Sequence, residues 1–355
     1  MPHPTKFFAQ IALAPLLSLV LLLGQSPDRS LTGKILTVKG PINPDELGRT
    51  LMHEHIFIDF TVHDDTTEGW KYASRVKPTG ATAVALYNSP LTMNLLGAVA
   101  MGAPNRDNWL LKDEKVSIDE VRRFQAAGGN SIVDVTSIGL DRDPEALLRV
   151  SKATGLNVVM GAAWYRKGWS GKQIANRSVE SLTEAIVRDV TVGVGDSGIR
   201  SGIIGEVGTE GNPLVQTELN NIRAAGRASR LTGAAITLHT AALLKEQPRI
   251  LNMLAEEGAD LSRVIVGHSN PIATDLPFMK QLMDRGAYIQ FDLLGRPPNV
   301  RTVVSDADVA NGIVAMISAG YLQKILLSQD VCTRSSSMHT AARASPIFPS
   351  TSFLT

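Results

Sequence analysis

The sequence predicts an α/β fold, a (β/α)8 TIM barrel, and three observations point to it. Short apolar runs rich in Val and Ile alternate with helical patterns along the chain, the mark of parallel βα units. Eight such runs lie between residues 50 and 329, the number that closes this barrel. No G-x-G-x-x-G follows any of them, so an open doubly wound sheet, the competing architecture, lacks its fingerprint. The length of 355 residues suits one barrel of roughly 250 residues with additions.

Residues 1–30 stand apart. Lys6 precedes an apolar run from Ile11 to Leu23, which gives way to Gly24-Gln25-Ser26-Pro27-Asp28. That order reads as a secretory signal peptide, with an uncleaved N-terminal membrane anchor as the alternative. The chain is therefore expected to be exported, to the periplasm or outside the cell, with a mature start between Gln25 and Thr32.

The first strand is predicted at 50–55. Residues 60–115 then form an excursion too long for a plain loop, expected to hold small strands or helices that cap the barrel. Ser117-Ile118-Asp119-Glu120 reads as a capping box opening a helix that ends near Gly128-Gly129. Strands follow at 131–136 and 157–162, a helix at 178–192 and a strand at 202–207. The remaining helix–strand pairs are 217–231 with 235–239, 241–257 with 264–268, 275–285 with 287–291, and 306–319 with 325–329. Gly233, Gly258, Gly286 and Gly320 each follow a helix, where a C-terminal cap favours positive φ. The barrel domain is placed at 31–334. Residues 335–355 are rich in Ser, Thr, Ala and Pro without helical periodicity, so the helix expected after the eighth strand is missing or altered.

Composition narrows the function. With 44% hydrophobic residues the chain can bury a sizeable core, which excludes whole-chain disorder. A net charge of +1 argues against nucleic acid as a partner. Cys332 is the single cysteine, so neither an internal disulfide framework nor a cysteine zinc cage can form.

The chemistry sits at strand ends. Four of the seven histidines, His53, His55, His239 and His268, close predicted strands. The alternating strand period puts His53 and His55 on one face and Glu54 on the other. Glu206 ends the fourth strand and Asp330 follows the eighth. Taken singly, a strand-end histidine is more often a hydrogen-bonded rim residue than a ligand. Jointly, imidazole nitrogens and carboxylate oxygens at the C-terminal mouth form the donor set of zinc and its neighbours. Four histidines and two carboxylates exceed one tetrahedral site and suit two metals sharing a carboxylate. Around them, Trp164-Tyr165 could line a leaving-group pocket or pack in the core, and Asp292 or Asp275 could steady a ligand histidine. Asp275 is read first as a helix N-cap. Asn176-Arg177-Ser178 also fits a glycosylation sequon.

These residues resemble the phosphotriesterase family of the amidohydrolase superfamily, in its phosphotriesterase-related subgroup. The segments that carry the resemblance are Leu51-Met52-His53-Glu54-His55, the Gly202–Thr209 run around Glu206, Thr237-Leu238-His239-Thr240, Val266-Gly267-His268-Ser269 and Leu327-Ser328-Gln329-Asp330-Val331. The resemblance implies a metal-dependent hydrolase with two divalent ions, zinc first and cobalt or manganese as alternatives. It implies that His53, His55 and Asp330 hold the more buried ion, His239 and His268 the outer one. Glu206 takes the place of the family's bridging carboxylated lysine, and Asp330 is also implied as catalytic acid/base. The implied substrate is a small ester, lactone, amide or organophosphate, attacked by a water that the ions acidify, and a homodimer is compatible with it. The alternative reading is a non-catalytic barrel that binds metal or a ligand.

Overall fold

Residues 31–211, 213–296 and 298–337 are described by the computed structural model. The eight predicted strands all form: β1 (Thr50–Glu54), β2 (Ser131–Asp134), β3 (Asn157–Ala162), β4 (Ile203–Gly208), β5 (Ile236–His239), β6 (Val264–Val266), β7 (Tyr288–Phe291) and β8 (Ile325–Leu327). Each pairs in parallel with the next, in sequence order from β1 to β8. Val133, Val135, Val159, Ile203 and Ile265 pack together with Met52, Ala235, Tyr288 and Leu326 in one cluster. Every strand or its edge therefore contributes to a common interior, as in a closed barrel. The opposite strand faces, with Ile204, Val207, Ile236, Val264 and Ile289, pack against the helices in the largest core.

The seam between β8 and β1 is built differently. No backbone ladder joins these two strands among the described residues. Instead the Glu54 carboxylate accepts from the Ser328 hydroxyl (2.7 Å) and from the backbone N–H groups of Gln329 and Val331 (both 2.9 Å). The Asp330 N–H donates to the His53 carbonyl at 3.1 Å, and the His53 N–H to the Ser328 hydroxyl at 2.9 Å. Glu54, sent away from the histidines by the strand period, is thus the group that closes the barrel.

The excursion after β1 holds three short helices, α1 (Thr67–Tyr72), α2 (Ala81–Asn88) and α3 (Met93–Ala100), and a two-residue strand pair, Ile58–Asp59 with Leu110–Leu111. The next helix, α4 (Glu114–Ala126), starts one turn earlier than the sequence predicts. Asp113 caps it by accepting from the Val116 N–H, while the buried Ser117 hydroxyl donates to the Ile56 carbonyl at 3.0 Å. The Ser117 capping box is therefore absent, because an acid with an open first turn lies upstream.

Two helices not predicted from the sequence follow β2 and β3: α5 (Pro144–Thr154) and α6 (Lys167–Ile174). The signals for α5 were present, an Asp143 cap, Pro144 in the first turn and Gly155 at φ 82° beyond its end. Then come α7 (Val179–Thr191), α8 (Gln216–Thr232), α9 (Gln247–Glu256), α10 (Leu276–Met283) and α11 (Asp306–Ser318). The predicted helix 241–257 is broken into a 3-10 turn, Ala242–Leu244, and α9. Lys245 in the left-handed region and Pro248 in the first turn separate the two. After β8 the chain makes one 3-10 turn, Arg334–Ser336. Residues 1–30, with the expected signal peptide or anchor, and 338–355 of the expected irregular tail lie outside the described residues. Among the described residues no helix is long and apolar enough to cross a membrane.

Candidate metal centre

All six predicted ligands meet at the C-terminal mouth of the barrel. On β4 the ladder register shifts between Ile204 and Val207, and this irregularity turns Glu206 into the lumen while Val207 joins the outer core. Glu206 Oε1 lies 2.6 Å from His239 Nδ1, 3.2 Å from His268 Nε2 and 3.7 Å from His53 Nε2. Its other oxygen lies 3.7 Å from His55 Nε2, which is also 3.3 Å from Asp330 Oδ1. His53, His55, Glu206 and Asp330 are buried, and His239 and His268 sit slightly nearer the surface.

The groups behind the ligands fix which nitrogen faces the site. The Thr136 hydroxyl donates its one proton to the Phe57 carbonyl at 3.0 Å, so it accepts from His55 Nδ1 at 2.9 Å and leaves a lone pair on Nε2. His268 Nδ1 donates to Asp292 Oδ1 at 2.9 Å, and its backbone N–H to the other Asp292 oxygen at 2.9 Å. His53 Nδ1 faces Gln290 Oε1 and Asp292 Oδ2, each at 3.3 Å. Asp292 therefore steadies two ligands. Asp275 steadies none: it caps α10 through the Phe278 N–H and pairs with Lys245. Trp164 lies in the barrel's outer core, whereas the hydroxyl of its neighbour Tyr165 reaches His239 Nδ1 at 3.4 Å. The pair is thus divided, with Trp164 in packing and Tyr165 at the mouth.

The donor atoms fit cations. His53 Nε2 is buried without a hydrogen-bond partner, and it faces the other ligands. His239 Nδ1 and His268 Nε2 approach to 2.8 Å beside a carboxylate, an arrangement of donors that only a shared proton or a cation makes favourable. Donor atoms of His53, His55 and Glu206 lie within 4.8 Å of one another, as do those of Glu206, His239 and His268, and of His53, His268 and Asp330. Glu206, His53 and His268 each belong to two of these groups, but Glu206 alone of the three faces different partners with two oxygens, Oε1 toward His239 and His268 and Oε2 toward His55, which is the position of a shared ligand. The electrostatics divide the cluster: against their burial, the facing carboxylates raise His268 and His55, while Glu206 and His239 move the other way. Burial works against charge on Glu206, yet the facing His239 and His53 hold its carboxyl well below the usual range. Burial, reinforced by His268, pushes His239 down to about 4, so its ring is neutral and able to ligate at neutral pH.

Four polar residues at this site carried no clear sequence signal: Thr136, Gln290, Arg296 and Arg75. Gln290 was the most visible of them, a polar side chain inside the apolar run of β7. Arg296 holds Asp330 Oδ2 at 2.7 Å. Over the mouth, Phe60 stacks on Trp169 with centroids 4.8 Å apart, and Tyr165 meets Trp169 edge-on at 5.3 Å.

A profile of the phosphotriesterase family matches residues 33–344. The chain is 32% identical over 313 residues to the N-acetyltaurine hydrolase of Xenopus tropicalis, and the match spans 86% of each. A resiniferatoxin-binding protein from Rhodobacter sphaeroides superposes with a TM-score of 0.77 at 34% identity, over 85% of this chain and 83% of that one. The phosphotriesterase from Mycobacterium tuberculosis does so with a TM-score of 0.61 at 28% identity, over 84% and 81%.

Proposed function

The chain belongs to the phosphotriesterase family and is a hydrolase, and on that premise we propose that it hydrolyses a small acyl compound, an N-acyl amide first, with two divalent ions. The observation that carries this reading is the buried Glu206 carboxylate, with Oε1 toward His239 and His268 and Oε2 toward His55. The relative that acts on an amide, N-acetyltaurine, favours amide over lactone and phosphotriester. Zinc suits the imidazole-rich donor set, with cobalt or manganese as alternatives.

When bound, the two ions would supply Lewis acidity toward the substrate oxygen and toward the attacking water. His53, His55 and Asp330 would hold one, His239 and His268 the other, with Glu206 common to both. The remaining steps belong to the chain's own groups. Thr136 and Asp292 keep the imidazole tautomers fixed, so no reorientation is needed during turnover. Arg296 occupies Asp330 Oδ2, and Oδ1 is left toward His55 and the mouth to receive the proton released on attack. Tyr165, whose phenol burial holds well above its usual pKa, stays protonated and can donate to the substrate.

The test is metal content per folded chain after chelator-free purification, followed by hydrolysis assays on N-acyl amides, a lactone and a phosphotriester. Two ions per chain with amide cleavage are expected. Folded protein that takes up no divalent ion from excess sinks the reading. We propose also that residues 1–30 direct export, to be tested by cell fractionation and N-terminal sequencing; full-length chain in the cytoplasm would refute it.

A further inference from the structure

Arg75 sits beside the mouth in an aromatic cage. Its guanidinium carbon lies 3.6 Å from the Trp109 ring centroid, 4.3 Å from Phe60 and 5.2 Å from Trp169. Phe60 in turn meets Tyr165 at 6.0 Å, and Tyr165 meets His239 at 5.0 Å. One pair of rings therefore separates Arg75 from the ligands.

The cage holds a cation without an anion. Among the described residues, one of the guanidinium's five N–H donors is placed, on the Phe60 carbonyl. No carboxylate lies within 4.0 Å of the Arg75 guanidinium among the described residues. Glu210, which is bonded to the adjacent Ser74, is already used: Oε2 pairs with Arg166 and Oε1 accepts from the Ser74 hydroxyl at 3.0 Å. Burial first, then repulsion from Arg301 and Arg166, lowers the Arg75 pKa to about 9, so the folded protein works against the charge it places there. The backbone around it is nonetheless held, by Ser74 on Glu210 and by Arg301 on the Ser74 carbonyl at 3.2 Å. A positioned, half-buried guanidinium with free donors is what binds a planar or tetrahedral oxyanion in two-point fashion.

We propose that Arg75 is the substrate-recognition residue for a carboxylate or sulfonate carried at the end of the acyl compound remote from the scissile bond. The inference rests on the hydrolase reading for the identity of the compound, but the anion site is testable without turnover. The experiment is calorimetric titration of the metal-loaded protein with propionate, ethanesulfonate and, as the uncharged counterpart, propanol. Wild type binds one or both anions at least tenfold tighter than propanol. Comparing propionate with ethanesulfonate tells which headgroup is preferred. Arg75→Gln loses that margin, and Arg75→Lys, which keeps a charge in the cage, retains part of it. Equal affinity for anion and propanol in wild type overturns the proposal, as does unchanged anion binding in Arg75→Gln, which would place the anion on the metals. Should Arg75→Gln fail to fold, the wild-type comparison and Arg75→Lys still decide it. Cleavage of an uncharged amide without anion binding would sink this inference alone. Anion binding lost in Arg75→Gln, with no hydrolysis of any substrate, would sink the hydrolase reading alone.

Discussion

Asp292 accepts from both the ring and the backbone of His268 and also faces His53, so its charge orients two candidate ligands at once. Asp292→Asn should weaken metal binding by about 10–100-fold, the range for such supporting groups, read by competition with a chelator. Asp275→Ala removes a helix cap instead, and should cost about 1 kcal/mol in denaturant unfolding with metal affinity unchanged. Asp330→Asn is expected to lower kcat by roughly 10²–10⁴-fold while most of the metal is retained. Full activity in that variant would remove Asp330 from proton transfer. That these six residues converge was readable in the sequence because the chemistry is written in residue types that strand ends seldom carry together. Thr136 and Gln290 were not, since a threonine or glutamine in a strand has many ordinary uses and only its contact with an imidazole gives it this one.

Strands were legible for a related reason: a run that faces the lumen on one side and helices on the other carries adjacent apolar residues rather than alternating ones, as Ile132-Val133 in β2, Val158-Val159-Met160 in β3 and Ile203-Ile204 in β4 show. Helix starts were less so. The Ser117 box failed because Asp113 caps the helix one turn upstream, and the helix at 241–257 because Lys245 in the left-handed region and Pro248 divide it. Gly161 carries a prediction at this scale. A Cβ there would overlap the Gly205 carbonyl oxygen on the neighbouring strand, a backbone atom that cannot swing aside. Gly161→Ala should therefore cost about 1–3 kcal/mol and displace Glu206, one residue along. Loss of stability with metal stoichiometry intact would show that β4 yields without moving its carboxylate.

If two ions bind as proposed, the stability of the whole barrel should depend on them. The candidate ligands come from β1, β4, β5 and the segments that follow β1, β6 and β8, so a bound cation would tie five parts of the ring together. By mass action, a cation at 100 times its Kd stabilises by about 2.7 kcal/mol per site. Chelation should accordingly lower the thermal midpoint, measured by calorimetry before and after metal is restored; an unchanged midpoint would mean the sites do not bind tightly. Among the described residues, the barrel's one join without a ladder lies between β8 and β1, where Glu54 gathers three donors. His53 and His55 stand on one side of that join and Asp330 on the other. An ion held between them would work as a clasp, and opening of the join and escape of the ion would become one event seen from two sides. Amide exchange at Gln329 and Val331 would then time the residence of the metal.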